Sequence, residues 1–326
     1  MSEEKDFEKQ PAKGFDFELE FDEQKLRNFL EKAGLPLDFV PEQALHELGC
    51  GAVVEGQFCI NNASVLFFAK EPQRLFPWVF IRCSRLKGTN FLDKQKIAGS
   101  LWEMVDKAMT FVKRNTRVAA KFDGFKRIDI EEYPYVAIRE AIVNAVCHRD
   151  YCIENNVFVN VFDDRVEVIS PGPIPNNLTV EQIRGKSIPR NRTILELFEK
   201  LGSDYVERTG TGFTRMDELM LVHGLKKPEY QTTHAFVEVT FKGPGEKILE
   251  LVRPSNETDL RELGLNERQA NALGWIQQQK TVTREGYEKK FGVSKRTAVR
   301  ELMQLVKKNT LCTQGKGKST TYSIKQ

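Results

Sequence analysis

The sequence predicts an α+β protein, with a two-layer α/β sandwich core followed by a C-terminal winged helix-turn-helix domain. Three observations predict it. An apolar helix with one polar stripe, Arg139 to Tyr151, precedes alternating strand-like segments. A loop dense in Pro, Gly and Asn, Ser170 to Asn177, then interrupts every period, and the basic tail repeats short helices before a strand-turn-strand.

A chain of 326 residues, 40% hydrophobic and 29% charged, has room for two or three cored domains and little disorder away from its ends. No run reaches the roughly 18 apolar residues of a membrane span. Met1 to Lys5 lacks the layout of a signal peptide, so the expected location is cytoplasmic, associated with the nucleoid. Six scattered cysteines with no Cys-x-x-Cys pair read as reduced core residues. The net charge of +3 is uneven: Lys280 to Gln326 holds 12 basic and 3 acidic residues, leaving the rest acidic. A basic module on an acidic body points to a polyanion met by one domain only.

In chain order, residues 1–20 are polar and expected to be loosely held. Phe21–Gly34 and Pro41–Leu48 have helical spacing, Ala52–Ile60 reads as a hairpin, Ala63–Ala69 as a buried segment and Pro77–Leu86 as a strand. Gly99–Arg114 is an amphipathic helix. These make up an N-terminal α/β region, 21–130, packed on a core at 131–245. In that core Asn156–Phe162 and Arg165–Ser170 form a hairpin across Asp163-Asp164. A long basic connection, with Arg184, Lys186, Arg190 and Arg192, leads to a helix at Thr193–Leu201 and has the character of a lid. Gly210-Thr211-Gly212 then opens a helix, and His234–Phe241 alternates as a strand. Residues 246–264 are a linker, and 265–326 form the last domain.

At roughly 100° per residue, Glu140, Asn144 and His148 fall within about 80° of one another, beside a face of Ala141, Ala145, Ile138, Ile142 and Val146. Such a stripe is either a solvated polar face or a row of groups aimed at a ligand. Glycines at a helix start are similarly ambiguous. They let backbone N–H groups approach an anion, but they also serve plain tight turns.

The order of these pieces resembles the Bergerat-type ATPase fold of gyrase, MutL, heat-shock chaperones and histidine kinases. More closely it resembles the RecG-like C-terminal family found in schlafen/AlbA-type transcriptional regulators. The phrases that carry the resemblance are Tyr133-Pro134, Arg139-Glu140-Ala141 with Asn144-Ala145, His148-Arg149-Asp150-Tyr151, Ser170-Pro171-Gly172, Pro189-Arg190-Asn191 and Gly210-Thr211-Gly212. It covers roughly residues 60–326. The resemblance implies ATP and Mg²⁺ as cofactors, with Asn144 ligating the metal through its amide oxygen. It makes Glu140 the catalytic group that orients or deprotonates water. Ser170, Gly172, Gly210, Thr211 and Gly212 would line the nucleotide site, and Arg190, followed by Lys186 and Arg192, would reach the γ-phosphate. His148 and Asp150 would cap the helix or support a ligand.

The sequence departs from that pattern at one point. The family's Asp-x-Gly-x-Gly loop supplies a carboxylate to the adenine amino group, and here the stretch is Ser170-Pro171-Gly172-Pro173. Losing the charge weakens both adenine selection and the case for fast turnover. An AlbA-type domain ahead of the core is expected to be missing or truncated, and its activities are not carried over.

In the tail, helices starting at Asn266-Glu267, Thr283 and Ser294 make a helix-turn-helix, with Gly292-Val293 as the turn. Lys295, Arg296, Thr297 and Arg300 are left for phosphates and base edges, and Lys316 and Lys318 lie at the tip of a wing. A winged helix that binds protein instead is the alternative. The expected function is therefore a DNA-binding transcriptional regulator whose ATP-binding core modulates its grip on double-stranded DNA, as a possible homodimer. The rival is a DNA-stimulated ATPase in DNA maintenance or defence. A helicase proper is not expected, because the sequence has no Gly-x-x-x-x-Gly-Lys-Ser/Thr loop.

Overall fold

The computed structural model describes residues 6–123, 126–175, 178–186, 188–202, 205, 212–245, 248, 267–279, 281–307, 310–315 and 320–324. The chain forms two compact units, Met1–Val252 and Arg253–Gln326.

The first unit begins with helices α1 (Phe17–Glu20), α2 (Glu23–Lys32) and α3 (Pro41–Glu47), the hairpin β1 (Gly51–Val54) and β2 (Gln57–Ile60), and α4 (Asn62–Phe68). Asp16 and Asp22 cap α1 and α2 by accepting backbone N–H bonds from Leu19 and Lys25. All seven residues of α4 are buried, which is why its sequence shows no period. Next come β3 (Ile81–Lys87), β4 (Asn90–Ile97), α5 (Leu101–Asn115), the hairpin β5 (Val118–Asp123) and β6 (Lys126–Glu131), and α6 (Tyr135–His148). A capping box between Ser100 and Glu103 starts α5. The unit is completed by β7 (Val157–Val161), β8 (Arg165–Pro171), α7 (Val180–Ile183), α8 (Arg192–Lys200), α9 (Gly212–Val222), β9 (Glu229–Thr232) and β10 (Phe236–Lys242).

Six strands form one mixed sheet in the order β4-β3-β7-β8-β10-β9, antiparallel except where β3 meets β7. Val159, Val168 and Val239 stand opposite one another on adjacent strands and are all buried. Helix α6 packs on β7, β8 and β10, between α5 and α9. Its Ala137, Ile138, Ile142, Val143 and Val146 are at most 1% exposed. Burying each of these larger aliphatic side chains contributes about 2 kcal/mol, so the apolar part of α6 fixes which way its polar stripe faces.

Several expectations change. Residues 6–20 are not loose, because Phe7 stacks on Tyr151 at 5.4 Å and meets Phe76 edge-on at 5.2 Å, and Glu8 is 1% exposed. Asp6 to Gln10 are polar in composition but dock through these two side chains. Strands β4, β5 and β6 lie where no strand was expected; β4 is a sheet edge whose Lys94, Lys96 and Leu92 are exposed, so the period-2 pattern is blurred. The sheet also crosses the expected boundary at residue 131, since β3 and β4 complete it. Cys50, Cys83 and Cys147 are buried thiols, while Cys152 and Cys312 are exposed rather than in a core.

The second unit holds α10 (Glu267–Gln279), β11 (Val282–Thr283), α11 (Arg284–Phe291), α12 (Lys295–Lys307), β12 (Leu311–Gln314) and β13 (Thr321–Ile324). The strands form a small antiparallel sheet in the order β11-β13-β12. Thr283 caps α11, and Gly292 ends it at φ 62°, where a side chain would be strained. Ala272, Ile276, Tyr287, Ala298, Leu302 and Leu305 make a separate core. Glu301, 1% exposed, is held there by Arg268 at 3.0 Å and the Tyr287 hydroxyl at 2.9 Å. Among the described residues no helix is long and apolar enough to cross a membrane.

Candidate functional site

The polar stripe of α6 lines a cleft of about 1140 Å³, its open mouth included. Glu140, Asn144 and His148 form one wall, and Val168 and Ser170 of β8 with Val237 and Val239 of β10 form the floor. Pro173 to Pro175, Ile183, Lys186 and Ile188 close over it, and Leu195, Glu199, Gly212, Phe213 and Met216 complete the lining. Its lining is mostly apolar with a few convergent polar groups, which is the character of a small-molecule site.

At one end Gly212, the first residue of α9, approaches the stripe closely. A Cβ there would sit 2.9 Å from Glu140 Oε1 and 3.0 Å from Asn144 Nδ2. Asn144 Nδ2 donates to Glu140 Oε1 at 3.4 Å, and Arg215 Nη1, one turn into α9, lies 3.7 Å from Glu140 Oε2. Glu140 is 6% exposed. An N–H turned toward Glu140 leaves the amide oxygen of Asn144 turned away from it.

At the other end Ser170 Oγ donates to the Ala145 carbonyl at 2.8 Å, tying β8 to α6. Gly172 follows at φ +98°, and a Cβ there would meet the Asp150 Cβ at 2.6 Å, so this position requires glycine. His148 is held down at about 4, first by burial and then by the Arg190 guanidinium. The imidazole is therefore neutral at pH 7.

The basic connection is used differently from what was expected. Arg190 does not line the cleft; it donates to Asp150 Oδ2 at 3.0 Å and to the Pro173 carbonyl at 2.8 Å. Arg184 pairs with the buried Asp217 of α9 at 2.9 Å, and the Tyr230 hydroxyl donates to the same carboxylate at 2.9 Å. Both arginines fasten the connection to the body through charge-assisted bonds from a planar guanidinium. Arg192 is exposed and pairs with Glu196 at 2.9 Å. Of the expected phosphate-reaching cations, Lys186 alone lines the cleft. Asn191 donates to the Cys147 and Arg149 carbonyls at 2.8 and 2.9 Å, satisfying the C-terminal end of α6.

Gly210 and Thr211 lie outside the described residues, as do Lys316 and Lys318. Lys295, Arg296 and Arg300 are exposed on α12. Thr297 instead lies within 3.1 Å of the Ser294 hydroxyl at the start of that helix. Sequence reasoning missed Glu199, Arg215 and Asp217. Each sits on an amphipathic helix, where a charge normally reads as solvated, and no local pattern marks them. Among the described residues no three His, Cys, Asp or Glu groups converge as a metal site.

Residues 154–241 match the family model described as "Putative ATP-dependent DNA helicase recG C-terminal". The matched stretch contains Ser170, Gly172, Arg190 and Gly212 and begins after the Glu140–Asn144 turn. The resemblance read from the sequence is therefore met over that stretch. A crystal structure of the DIP2311 protein from Corynebacterium diphtheriae superposes with a TM-score of 0.61 at 20% identity, over 94% of this chain. This chain spans 61% of that one, and the likeness is one of fold. No curated protein matches this chain.

Proposed function

We propose that this protein binds a magnesium adenine nucleotide in the cleft along α6 and acts as a DNA-binding transcriptional regulator, its nucleotide state modulating its grip on double-stranded DNA. The observation that carries the first half is the approach of Gly212 to Glu140 and Asn144. It joins the start of an eleven-residue helix, the positive end of the helix dipole, to an amide oxygen and a carboxylate. That combination suits a triphosphate with a hard cation.

The donor set fits such a ligand. Asn144 would hold the ion through Oδ1, Lys186 would face the phosphates, and the apolar floor of Val168, Val237 and Val239 would carry the rest. A bound Mg²⁺ would offset charge on the phosphates. Glu140 is positioned by Arg215 and Asn144. The rival reading, a DNA-stimulated ATPase in DNA maintenance or defence, would be favoured by hydrolysis that DNA accelerates and Glu140→Ala abolishes. Isothermal titration with ATP and a non-hydrolysable analogue in Mg²⁺ is expected to show binding of both. Asn144→Ala should weaken it roughly 10- to 150-fold, the worth of a bond to a charged partner. No heat and no affinity for either ligand in the intact protein would overturn this reading.

The second half rests on the C-terminal unit. Its helices and small sheet read as a winged helix-turn-helix, with α12 as the recognition helix and Lys295, Arg296 and Arg300 exposed on it. Lys316 and Lys318 belong to the connection between β12 and β13. DNA affinity is expected to fall steeply with salt. Lys295→Ala with Arg300→Ala should reduce the slope of log K against log salt by about 2. An affinity independent of salt and of these residues would leave the unit without a DNA role.

A further inference from the structure

We infer that the cleft accepts purine nucleoside triphosphates without selecting adenine over guanine, an inference that rests on the nucleotide-binding reading above. The two ends of the cleft differ in chemistry. Glu140, Asn144 and Gly212 mark the polar end. At the other end, two turns of α6 from Glu140, His148 lines the cleft with Ser170, Pro173 and Ile174, a mostly apolar slot that would take the ring of the base.

What reads the edge of that ring is decided by the polar groups in the slot. Ser170 Oγ donates to the Ala145 carbonyl at 2.8 Å and is 8% exposed. In that rotamer its lone pairs accept from an exocyclic amino group; turned by one rotor step, the same hydroxyl donates to an exocyclic carbonyl. His148, neutral at pH 7, also has one donor and one acceptor nitrogen. A carboxylate would behave differently, because ionised it only accepts and would repel a guanine carbonyl.

No carboxylate reaches this end among the described residues. Asp150 is turned to Arg190 and to the Cys152 backbone N–H. Glu199 lines the cleft but lies at the far end. Asn191, at the start of α8, meets the last turn of α6, while Phe198 packs on Tyr205, whose ring lies under Arg139. Helix α8 thus runs antiparallel to α6 and carries Glu199 toward Glu140.

The test is titration of the full chain, in Mg²⁺, with ATP and with GTP. The two dissociation constants are expected to agree within about tenfold, the cost of re-aiming one neutral hydrogen bond. Ser170→Asp should raise the ratio in favour of ATP at least 100-fold, and Ser170→Ala, which removes the hydroxyl without adding charge, should leave the ratio within about tenfold of unity. A wild-type preference for ATP beyond 100-fold, or a ratio unmoved by a folded Ser170→Asp protein, would overturn the inference while the nucleotide reading stands. Binding of neither nucleotide would overturn both.

Discussion

Gly212→Val is expected to weaken magnesium nucleotide binding by roughly 30-fold or more, measured by titration, while the thermal unfolding midpoint drops by only a few degrees. The first added carbon already lies 2.9 Å from Glu140 Oε1 and 3.0 Å from Asn144 Nδ2, closer than such contacts allow. Two further methyl groups would force both side chains off the stripe. Glu140 cannot yield freely, since it is 6% exposed and faces Arg215. Overpacking of this kind costs about 1–3 kcal/mol of stability, but the loss in binding is larger because both ligand-facing groups and the backbone N–H approach are displaced together. Unchanged affinity in a folded Gly212→Val protein would reduce Gly212 to a turn residue and detach α9 from the site.

The second large effect is on stability and comes from the opposite end of the chain. Glu8 accepts from the backbone N–H groups of Thr193 and Ile194, each at 2.9 Å, at the start of α8. Helix α8 has no side-chain cap of its own, because the Asn191 amide is spent on the carbonyls that end α6. Glu8→Ala would leave two buried donors unpaired and remove a carboxylate from the positive end of a helix dipole, about 3 kcal/mol together. For a unit of this size that predicts a melting midpoint lower by about 6–12 °C. Glu8→Gln should recover part of it, since an amide oxygen satisfies one of the two donors. A shift under about 2 °C for Glu8→Ala would show that the N-terminal segment is held by Phe7 and by its bonds to Ile60 and Asn62.

The polar stripe was legible in the sequence because a helix repeats every 3.6 residues and three polar groups fell into register with that repeat. The β7–β8 hairpin was legible for a similar reason: Val157, Val159 and Val161 alternate with half-buried residues, and Asp163-Asp164 marks the turn. Partner choice was not. Arg190 looked like a phosphate ligand, and Arg184 like part of a solvated lid, because a basic loop carries no trace of where its counter-charges sit. The carboxylates that claim them, Asp217 and Asp150, are 33 and 40 residues away. Glu8 was read as part of a loose end for the same reason, its partner lying 185 residues later. Local sequence reports periodicity and turn chemistry; it does not report pairings made across the fold.

The parallel pairing of β3 with β7 has a consequence for how the cleft is made. Ile81 lies opposite Val157 and Arg85 opposite Val161, so this pairing closes over β4, α5, the β5–β6 hairpin and α6 together. The β7–β8 hairpin needs only a short turn and can form early, but its outer edge stays open until that long loop has closed. Until then α6 has only part of the surface it packs on, and its polar stripe has no fixed direction. Assembly of the site is therefore expected to be a late event in folding, set by a contact with a strand, β3, that carries none of its ligand-facing groups.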